Sequence, residues 1–139
     1  MSSVILCGVR VDALTLDGTV DRIASAAIAR RAGARSPALA VFSANVDMIV
    51  KASRDPAFAA DLDAGDLVLA DGVPLLWMAG ALGAPLPERV AGVDLVPAVA
   101  ARAARDDLSV FLFGAADGVA ARAAARLAEA TPGLRIAGT

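Results

Sequence analysis

The sequence of 139 residues contains no histidine and a single cysteine. Without histidine, Ser/His/Asp triads, Cys/His dyads and histidine-based zinc sites are excluded. One cysteine can form neither an internal disulfide nor a CxxC metal knuckle. Any acid–base chemistry therefore falls to Asp, Glu, Lys or Arg side chains.

An excess of positive charge is also lacking. The 13 basic residues face 15 acidic ones, and the net charge of -2 leaves no broad basic surface that could neutralise the phosphates of a duplex. We therefore expect no nucleic-acid partner. The apolar N-terminal stretch is broken by Arg10 and Asp12 and has no basic run before it. This pattern predicts neither a signal peptide nor a spanning helix, and it favours a cytoplasmic protein.

What the sequence does contain is enough apolar material for a core. Hydrophobic residues make up 58% and charged residues 20% of the chain. At this length we expect a single domain over residues 1–139, with no internal repeat and no linker.

Short apolar runs alternate with longer Ala/Leu/Arg segments, which favours βαβ units. The predicted fold class is α/β, a Rossmann-like, mostly parallel sheet with helices on both faces. The predicted strands are Val4–Val11, Ala38–Phe42, Leu67–Leu69, Val110–Phe113 and Leu134–Ala137. The predicted helices are Leu16–Ala32, a stretch that follows Asn45 through Ser53, one that starts at Asp55-Pro56 and carries Phe58 and Leu62, one that opens after Asp71-Gly72 and reaches Leu82, Asp94–Arg105 and Asp117–Glu129.

The last predicted strand runs to Thr139 with no helix after it. Parallel strands need both faces covered, so we expect the domain to be cut short and to leave apolar surface exposed. Exposed apolar surface in turn predicts self-association into a homo-oligomer.

Ligands of open parallel sheets bind beyond the carboxyl ends of the strands. The residues at those positions are Ser43, Asn45, Asp71, Gly72 and Gly114. Since the carboxyl ends of parallel strands meet at the same edge, these residues should converge.

Each of these residues has a functional and a structural interpretation. Asp71 ends an apolar strand, where partial burial suits a general base, but it could instead cap the next helix, with Gly72 in the turn. Ser43 and Asn45 could orient a ligand hydroxyl or act as ordinary N-caps. Gly114 opens a glycine loop that could bind a phosphate or form a plain βα turn, and the loop matches neither GxGxxG nor GxxxxGK[ST].

Other side chains point to chemistry less directly. Arg89 lies in a proline-rich segment and could clamp an oxyanion or a diphosphate, or remain a solvated surface residue with Glu88 as its partner. An acidic cluster lacks the glycine and the terminal glutamate of a calcium loop, so we predict a solvated loop and no metal site. We assign a group of apolar residues at helical spacing to the core. We also assign the lone cysteine to a buried strand, where it would act as a small hydrophobic residue. The acidic cluster is Asp61, Asp63 and Asp66; the helical group is Trp77, Met78 and Leu82; the cysteine is Cys7.

Three motifs together resemble the WecG/TagA/CpsF family of bacterial glycosyltransferases. They are Ser-Ala-Asn-Val-Asp-Met at 43–48, Asp-Gly-Val-Pro-Leu at 71–75 and Pro-Glu-Arg-Val-Ala-Gly-Val-Asp-Leu at 87–95. The runs Val110–Gly114 and Leu134–Thr139 extend the likeness over nearly the whole chain. The combination of DGxPL with ERVxGxD is far more specific than either piece.

The resemblance implies an inverting, metal-independent enzyme without a cofactor. Its donor would be a UDP-sugar such as UDP-N-acetylmannosamine, and its acceptor an undecaprenyl-diphosphate-linked saccharide of teichoic acid or another cell-surface polysaccharide. Asp71 would then be the general base, Arg89 would stabilise the leaving diphosphate, and Ser43 and Asn45 would line the pocket, with Gly72 and Gly114 in the adjoining loops. Such an enzyme would work at the membrane surface, on the inner face of the cytoplasmic membrane.

This sequence departs from the family pattern at two points. Ser43 stands where the family more usually has threonine, which keeps the hydroxyl. The family continues into a further strand, a glutamine-containing nucleotide-binding motif and a C-terminal segment linked to membrane docking, which these 139 residues lack. A nucleotide or sugar-phosphate binding module without turnover is therefore the alternative. A Rossmann oxidoreductase is a third reading, and the absence of GxGxxG counts against it.

Overall fold

Strands and helices alternate along the chain, and the computed structural model describes residues 2–34 and 38–139. The strands are β1 (Ser3–Leu6), β2 (Val9–Asp12), β3 (Val41–Ala44), β4 (Leu67–Ala70), β5 (Ser109–Phe111) and β6 (Arg135–Gly138). The helices are α1 (Leu16–Arg31), α2 (Val46–Ala52), α3 (Pro56–Asp63), α4 (Val73–Ala81), α5 (Gly92–Arg105) and α6 (Val119–Ala130).

The strands of the described residues pair two by two. β3 with β4 and β5 with β6 are parallel, whereas β1 and β2 form an antiparallel hairpin. Helices connect the members of each parallel pair, as a parallel crossover requires. The predicted α/β class with mostly parallel pairing is confirmed.

The prediction of one N-terminal strand over Val4–Val11 is wrong. The chain reverses at Cys7 and Gly8, whose φ angles are 49° and 87°. Two successive positive φ angles match the type I′ turn that joins hairpin strands, and glycine adopts such an angle without steric cost. Cys7 is consequently exposed at the turn, and the prediction that it lies in a buried strand is also wrong.

The second strand begins later than predicted. The N–H of Ala40 donates to Asp66 Oδ2 at 2.7 Å, and the carbonyl of Ala40 accepts from the N–H groups of Asp66 and Leu67. These bonds hold Ala40 at the start of β4, and the ladder of β3 with β4 starts at Val41 rather than at Ala38. Ser43 therefore lies inside β3 and not after it.

The described residues group into two compact units, and the first comprises 2–19 and 38–95. Its core joins the buried faces of the hairpin and of β4 with α2, α3 and α4. Fully buried leucines in this core each contribute roughly 1.5–3 kcal/mol of transfer free energy. The largest fully buried side chains of the core cluster are Leu6, Val11, Ile49, Leu62, Val68 and Leu75.

A buried carboxylate links the hairpin to β4. The side chain of Asp12 is only 2% exposed, and its Oδ2 accepts the N–H of Val68 at 2.9 Å. Arg10 pairs with the same carboxylate and also donates to the carbonyl of Gly65. This network fixes the strand that carries the candidate site.

The second unit comprises residues 20–34 and 96–139. Its buried side chains are small, and they include Ala24, Ala100, Ala103 and Ala124. Arg102 is held by Asp106 and Asp21, and these hydrogen bonds raise the pKa of its guanidinium.

Candidate active site

The parallel pair β3 and β4 brings two polar positions to one edge. Ala44 is the register partner of Ala70, so Asn45 and Asp71 follow directly after paired residues. The N–H of Asp71 donates to the carbonyl of Ala44 at 2.8 Å. The sequence-based expectation that these two positions share an edge is met for the β3–β4 pair.

The two carboxylate oxygens of Asp71 have different surroundings. Oδ2 accepts hydrogen bonds from the hydroxyl of Ser43 at 3.2 Å and from the N–H of Gly92 at 3.4 Å. Oδ1 lies 4.0 Å from Arg89 Nη1, too far for a hydrogen bond. The side chain is 32% exposed. One oxygen is thus held in place while the other has room for a proton.

Arg89 lies between two carboxylates. Its Nη2 donates to Asp94 Oδ2 at 2.5 Å, and its Nη1 faces Asp71. The following residue anchors the segment, because the N–H of Val90 donates to the carbonyl of Ala70 at the end of β4 at 2.9 Å. A guanidinium with unused donors at this point suits a diphosphate or another oxyanion.

Gly72 separates the carboxylate from the helix that follows. It is the N-cap of α4, with a φ of 145° and no side-chain capping bond. The alternative interpretation that Asp71 caps this helix is therefore wrong. A Cβ on Gly72 would meet only Pro74 at 3.6 Å, so its backbone conformation, not space, favours glycine.

Asn45 and Ser43, both near the end of β3, have different roles: the first caps a helix and the second contacts Asp71. Asn45 is the N-cap of α2, and its Oδ1 accepts the N–H of Met48 at 3.0 Å, which confirms the capping interpretation for that oxygen. No described residue bonds to its amide NH₂. Ser43 does not cap the helix. Its hydroxyl lies within hydrogen-bond distance of Asp71 and of the carbonyl of Val90, at 3.3 Å.

Gly114 belongs to the second unit, where it follows β5 after two further residues. Its φ is 100°, and Ala115 and Gly118 also have positive φ angles of 64° and 76°. Gly118 is the N-cap of α6, again without a side-chain capping bond. That Gly114 lines the same pocket as Asp71 stays a prediction.

Sequence reasoning assigned no role to Gly92 or Asp94, although both contact site residues. The spacing in Glu-Arg-Val-Ala-Gly-Val-Asp was the available signal, because Asp94 follows Arg89 at an interval that a turn can close. Glu88 is more than a surface neighbour. Its Oε1 accepts the N–H of Leu16 at the start of α1.

The structure also tests the residues that the sequence assigned to the core or to a solvated loop. Trp77 and Leu82 are 71% and 64% exposed, so assigning them to the core is wrong, whereas Met78 packs against the core. In the acidic cluster, Asp66 accepts the N–H of Ala40, the residue before β3, while Asp61 and Asp63 are exposed.

Within residues 2–34 and 38–139, no group of three or more Cys, Asp or Glu side chains is arranged to hold a metal ion. Across the same ranges, the helices fall short of the length and apolar character that crossing a bilayer demands.

Comparison with known proteins adds a family and a relative. The model of the glycosyl transferase WecG/TagA/CpsF family matches residues 4–139. An N-acetylglucosaminyldiphosphoundecaprenol N-acetyl-beta-D-mannosaminyltransferase of Bacillus spizizenii is 33% identical over 98 residues. The match covers 70% of this chain but only 38% of that relative, so the matched part spans well under half of the relative's length.

Proposed function

The chain belongs to the WecG/TagA/CpsF family of glycosyl transferases, and on this premise we propose that it transfers a sugar from a UDP-sugar to a polyprenyl-diphosphate-linked acceptor. The name of the relative supplies the acceptor class and the transferred sugar, N-acetylmannosamine. The observation that carries the proposal is the asymmetric carboxylate of Asp71, held at Oδ2 and open at Oδ1.

The proposed reaction is a single displacement with inversion. The acceptor hydroxyl attacks the anomeric carbon of the donor, and the bond between that carbon and the diphosphate oxygen breaks. Asp71 Oδ1 takes the proton of the attacking hydroxyl. The bonds from Ser43 and Gly92 support this role because they fix the carboxylate while leaving that oxygen free.

The leaving group of this displacement is UDP, which carries developing negative charge on its diphosphate. Arg89 lies beside the base, and a guanidinium can donate two parallel hydrogen bonds to phosphate oxygens. We assign it to the stabilisation of that charge. With a cation supplied by the protein, we further propose that the reaction needs no metal.

Asn45 and Gly72 complete the proposed pocket of the first unit, and Gly114 of the second unit stays a proposed substrate-binding residue. The amide NH₂ of Asn45 remains available to a sugar hydroxyl, because only its oxygen caps α2. Gly72 would let backbone approach the substrate closely, and the Gly114 loop would receive a donor phosphate. Since the acceptor is anchored by a lipid, we place the reaction at the inner face of the cytoplasmic membrane.

The test is transfer from UDP-N-acetylmannosamine to a short-chain polyprenyl-diphosphate N-acetylglucosamine, with product and UDP measured by chromatography. Asp71→Asn should lower kcat by about 10²- to 10⁴-fold, the usual contribution of a general base. Asp63→Asn, the same chemical change at an exposed residue of the same unit, is the control and should leave kcat unchanged. Addition of EDTA should also leave the rate unchanged.

The outcomes separate the two functional classes. Binding of UDP with no product from the unaltered chain would favour the module without turnover. Transfer that persists in Asp71→Asn would remove Asp71 from the base position. Retention of the donor's anomeric configuration in the product would exclude the single displacement.

A further inference from the structure

The Arg89 guanidinium is shared unequally between two carboxylates. Asp94 Oδ2 is 2.5 Å from Nη2, whereas Asp71 Oδ1 is 4.0 Å from Nη1. The closer contact is a hydrogen-bonded ion pair, and the longer one is electrostatic attraction without a hydrogen bond. The position of Arg89 is therefore set by Asp94 and not by the candidate base.

This unequal sharing has a chemical consequence for Asp71. If Arg89 moved onto Oδ1, its N–H groups would occupy the oxygen that has room for a proton. The Oδ2 atom is already engaged by Ser43 and Gly92. A hydrogen bond from the cation would then stabilise the unprotonated carboxylate and take one of the two lone pairs of Oδ1, so Asp71 would accept the proton of an incoming hydroxyl less readily.

The first turn of α5 reaches both members of the pair. The N–H of Gly92 donates to Asp71, and the carboxylate of Asp94 binds Arg89 two residues later. The turn itself is fixed, because the N–H groups of Asp94 and Leu95 donate to the carbonyl of Ala91. One short rigid segment thus sets the base and the cation relative to each other.

We propose that Asp94 is a positioning residue, which holds Arg89 off Asp71 and leaves the remaining N–H groups of the guanidinium available to a bound diphosphate. It touches neither substrate nor reacting atoms in this role and acts through Arg89. The inference rests on the proposed function for the identity of the diphosphate, but the position of Arg89 is tested separately.

A plain structural role makes different predictions. An acidic side chain in the first turn of a helix stabilises the helix dipole, and exposed ion pairs contribute little to folding. In that case Asp94→Asn would affect the protein no differently from Asp47→Asn. Asp47 is also exposed and also lies in the first turn of a helix, α2. It is the matched control.

The first experiment measures the order of the Arg89 side chain by ¹⁵N relaxation of its Nε–H signal, assigned through loss of that signal in Arg89→Lys. We expect an ordered side chain in the unaltered protein and in Asp47→Asn. In Asp94→Asn without ligand, we expect the order parameter or the chemical shift of the signal to change, as Arg89 either becomes mobile or moves onto Asp71. Asp94→Glu, which restores a carboxylate, should return the signal toward its original state. An Arg89 signal identical in the unaltered protein and Asp94→Asn would overturn the proposal.

The second experiment measures UDP binding by calorimetry, and the sign of the effect decides. Removing a negative charge beside an anionic ligand should by itself tighten binding. Loss of positioning should instead weaken it, and we expect Asp94→Asn to raise Kd about tenfold. In an Arg89→Ala background, the same substitution should no longer weaken binding, since its effect passes through the guanidinium.

Tighter or equal UDP binding in Asp94→Asn would refute the positioning role, as would an equal loss in the Arg89→Ala background. Absence of UDP binding by the unaltered chain would count against the proposed donor class. The relaxation measurement would still decide whether Asp94 holds Arg89, so the two failures are distinguishable.

Discussion

The buried carboxylate of Asp12 allows a stability prediction that is independent of function. Asp12→Ala removes the acceptor of the Val68 N–H, and Val68 is fully buried. An orphaned buried donor costs about 1–3 kcal/mol. Arg10 loses its partner at the same time, but it is 26% exposed and keeps the carbonyl of Gly65. Since Arg10 stays partly solvated, the total should lie between the cost of the orphaned donor and the about 3–5 kcal/mol that is typical of breaking a fully buried pair.

Asp12→Asn provides an internal comparison. The amide oxygen can still accept the Val68 N–H, whereas the charge opposite Arg10 is lost. We therefore expect a smaller cost, about 1–3 kcal/mol, because the Val68 N–H keeps its acceptor while the hydrogen bond from Arg10 to Oδ1 is lost. Asp63→Ala, at an exposed position of the same unit, should change stability by no more than about 0.5 kcal/mol.

The assay is equilibrium unfolding in urea, followed by the fluorescence of Trp77. It is the single tryptophan and lies in the same unit as Asp12. A loss in Asp12→Ala below about 1 kcal/mol would refute the reasoning. So would a loss in Asp12→Asn equal to that in Asp12→Ala, since it would mean that the Val68 bond contributes nothing.

Two further predictions concern residues of the candidate site. Ser43→Ala should lower kcat/KM for transfer about tenfold, because one hydrogen bond to the carboxylate of Asp71 is lost. Ser43→Thr keeps the hydroxyl and should keep most of the activity. Equal rates for all three proteins would contradict the contact. Asn45→Ala should lower the free energy of unfolding, measured by thermal unfolding, by about 1 kcal/mol, because the cap on the N–H of Met48 is lost. Asn45→Asp should retain the cap. Unchanged stability in Asn45→Ala would contradict the capping role.

The long helix α1 and the position of the candidate base were predictable from sequence. α1 was predicted within one residue of its end, because apolar residues recur at helical spacing before Gly33. Asp71 was predictable because an apolar run ends abruptly at a carboxylate followed by glycine and, two residues later, proline. Both signals are local, and tertiary packing did not override them.

The sequence contains a sign of the hairpin, but it appears only when the two strands are compared and not within either strand alone. Val4 and Leu6 are buried at even positions, whereas Val9 and Val11 are buried at odd positions. This change of parity indicates a two-residue turn between them. The continuous apolar run across Cys7 concealed it, since cysteine is not a typical turn residue.

The role of Asp94 was not predictable because it depends on a tertiary placement. The sequence gives an acid five residues after Arg89, and it does not say whether the intervening chain turns back. The hydrogen bond from Val90 to the end of β4 decides this, because it fixes Arg89 at the sheet edge just before α5 begins.

The register of β3 against β4 also bears on how such a site persists through evolution. Ser43 and Asp71 meet because two short strands pair side by side, and the crossover of α2 and α3 between them supplies none of the contacts to the Asp71 carboxylate. Insertions or deletions at the junction of these helices leave the ladder intact, provided that the ends of the crossover still reach the strands. The geometry of the candidate site and the intervening chain can therefore diverge at different rates. Lineages that differ widely in the crossover could keep the same juxtaposition of hydroxyl and carboxylate.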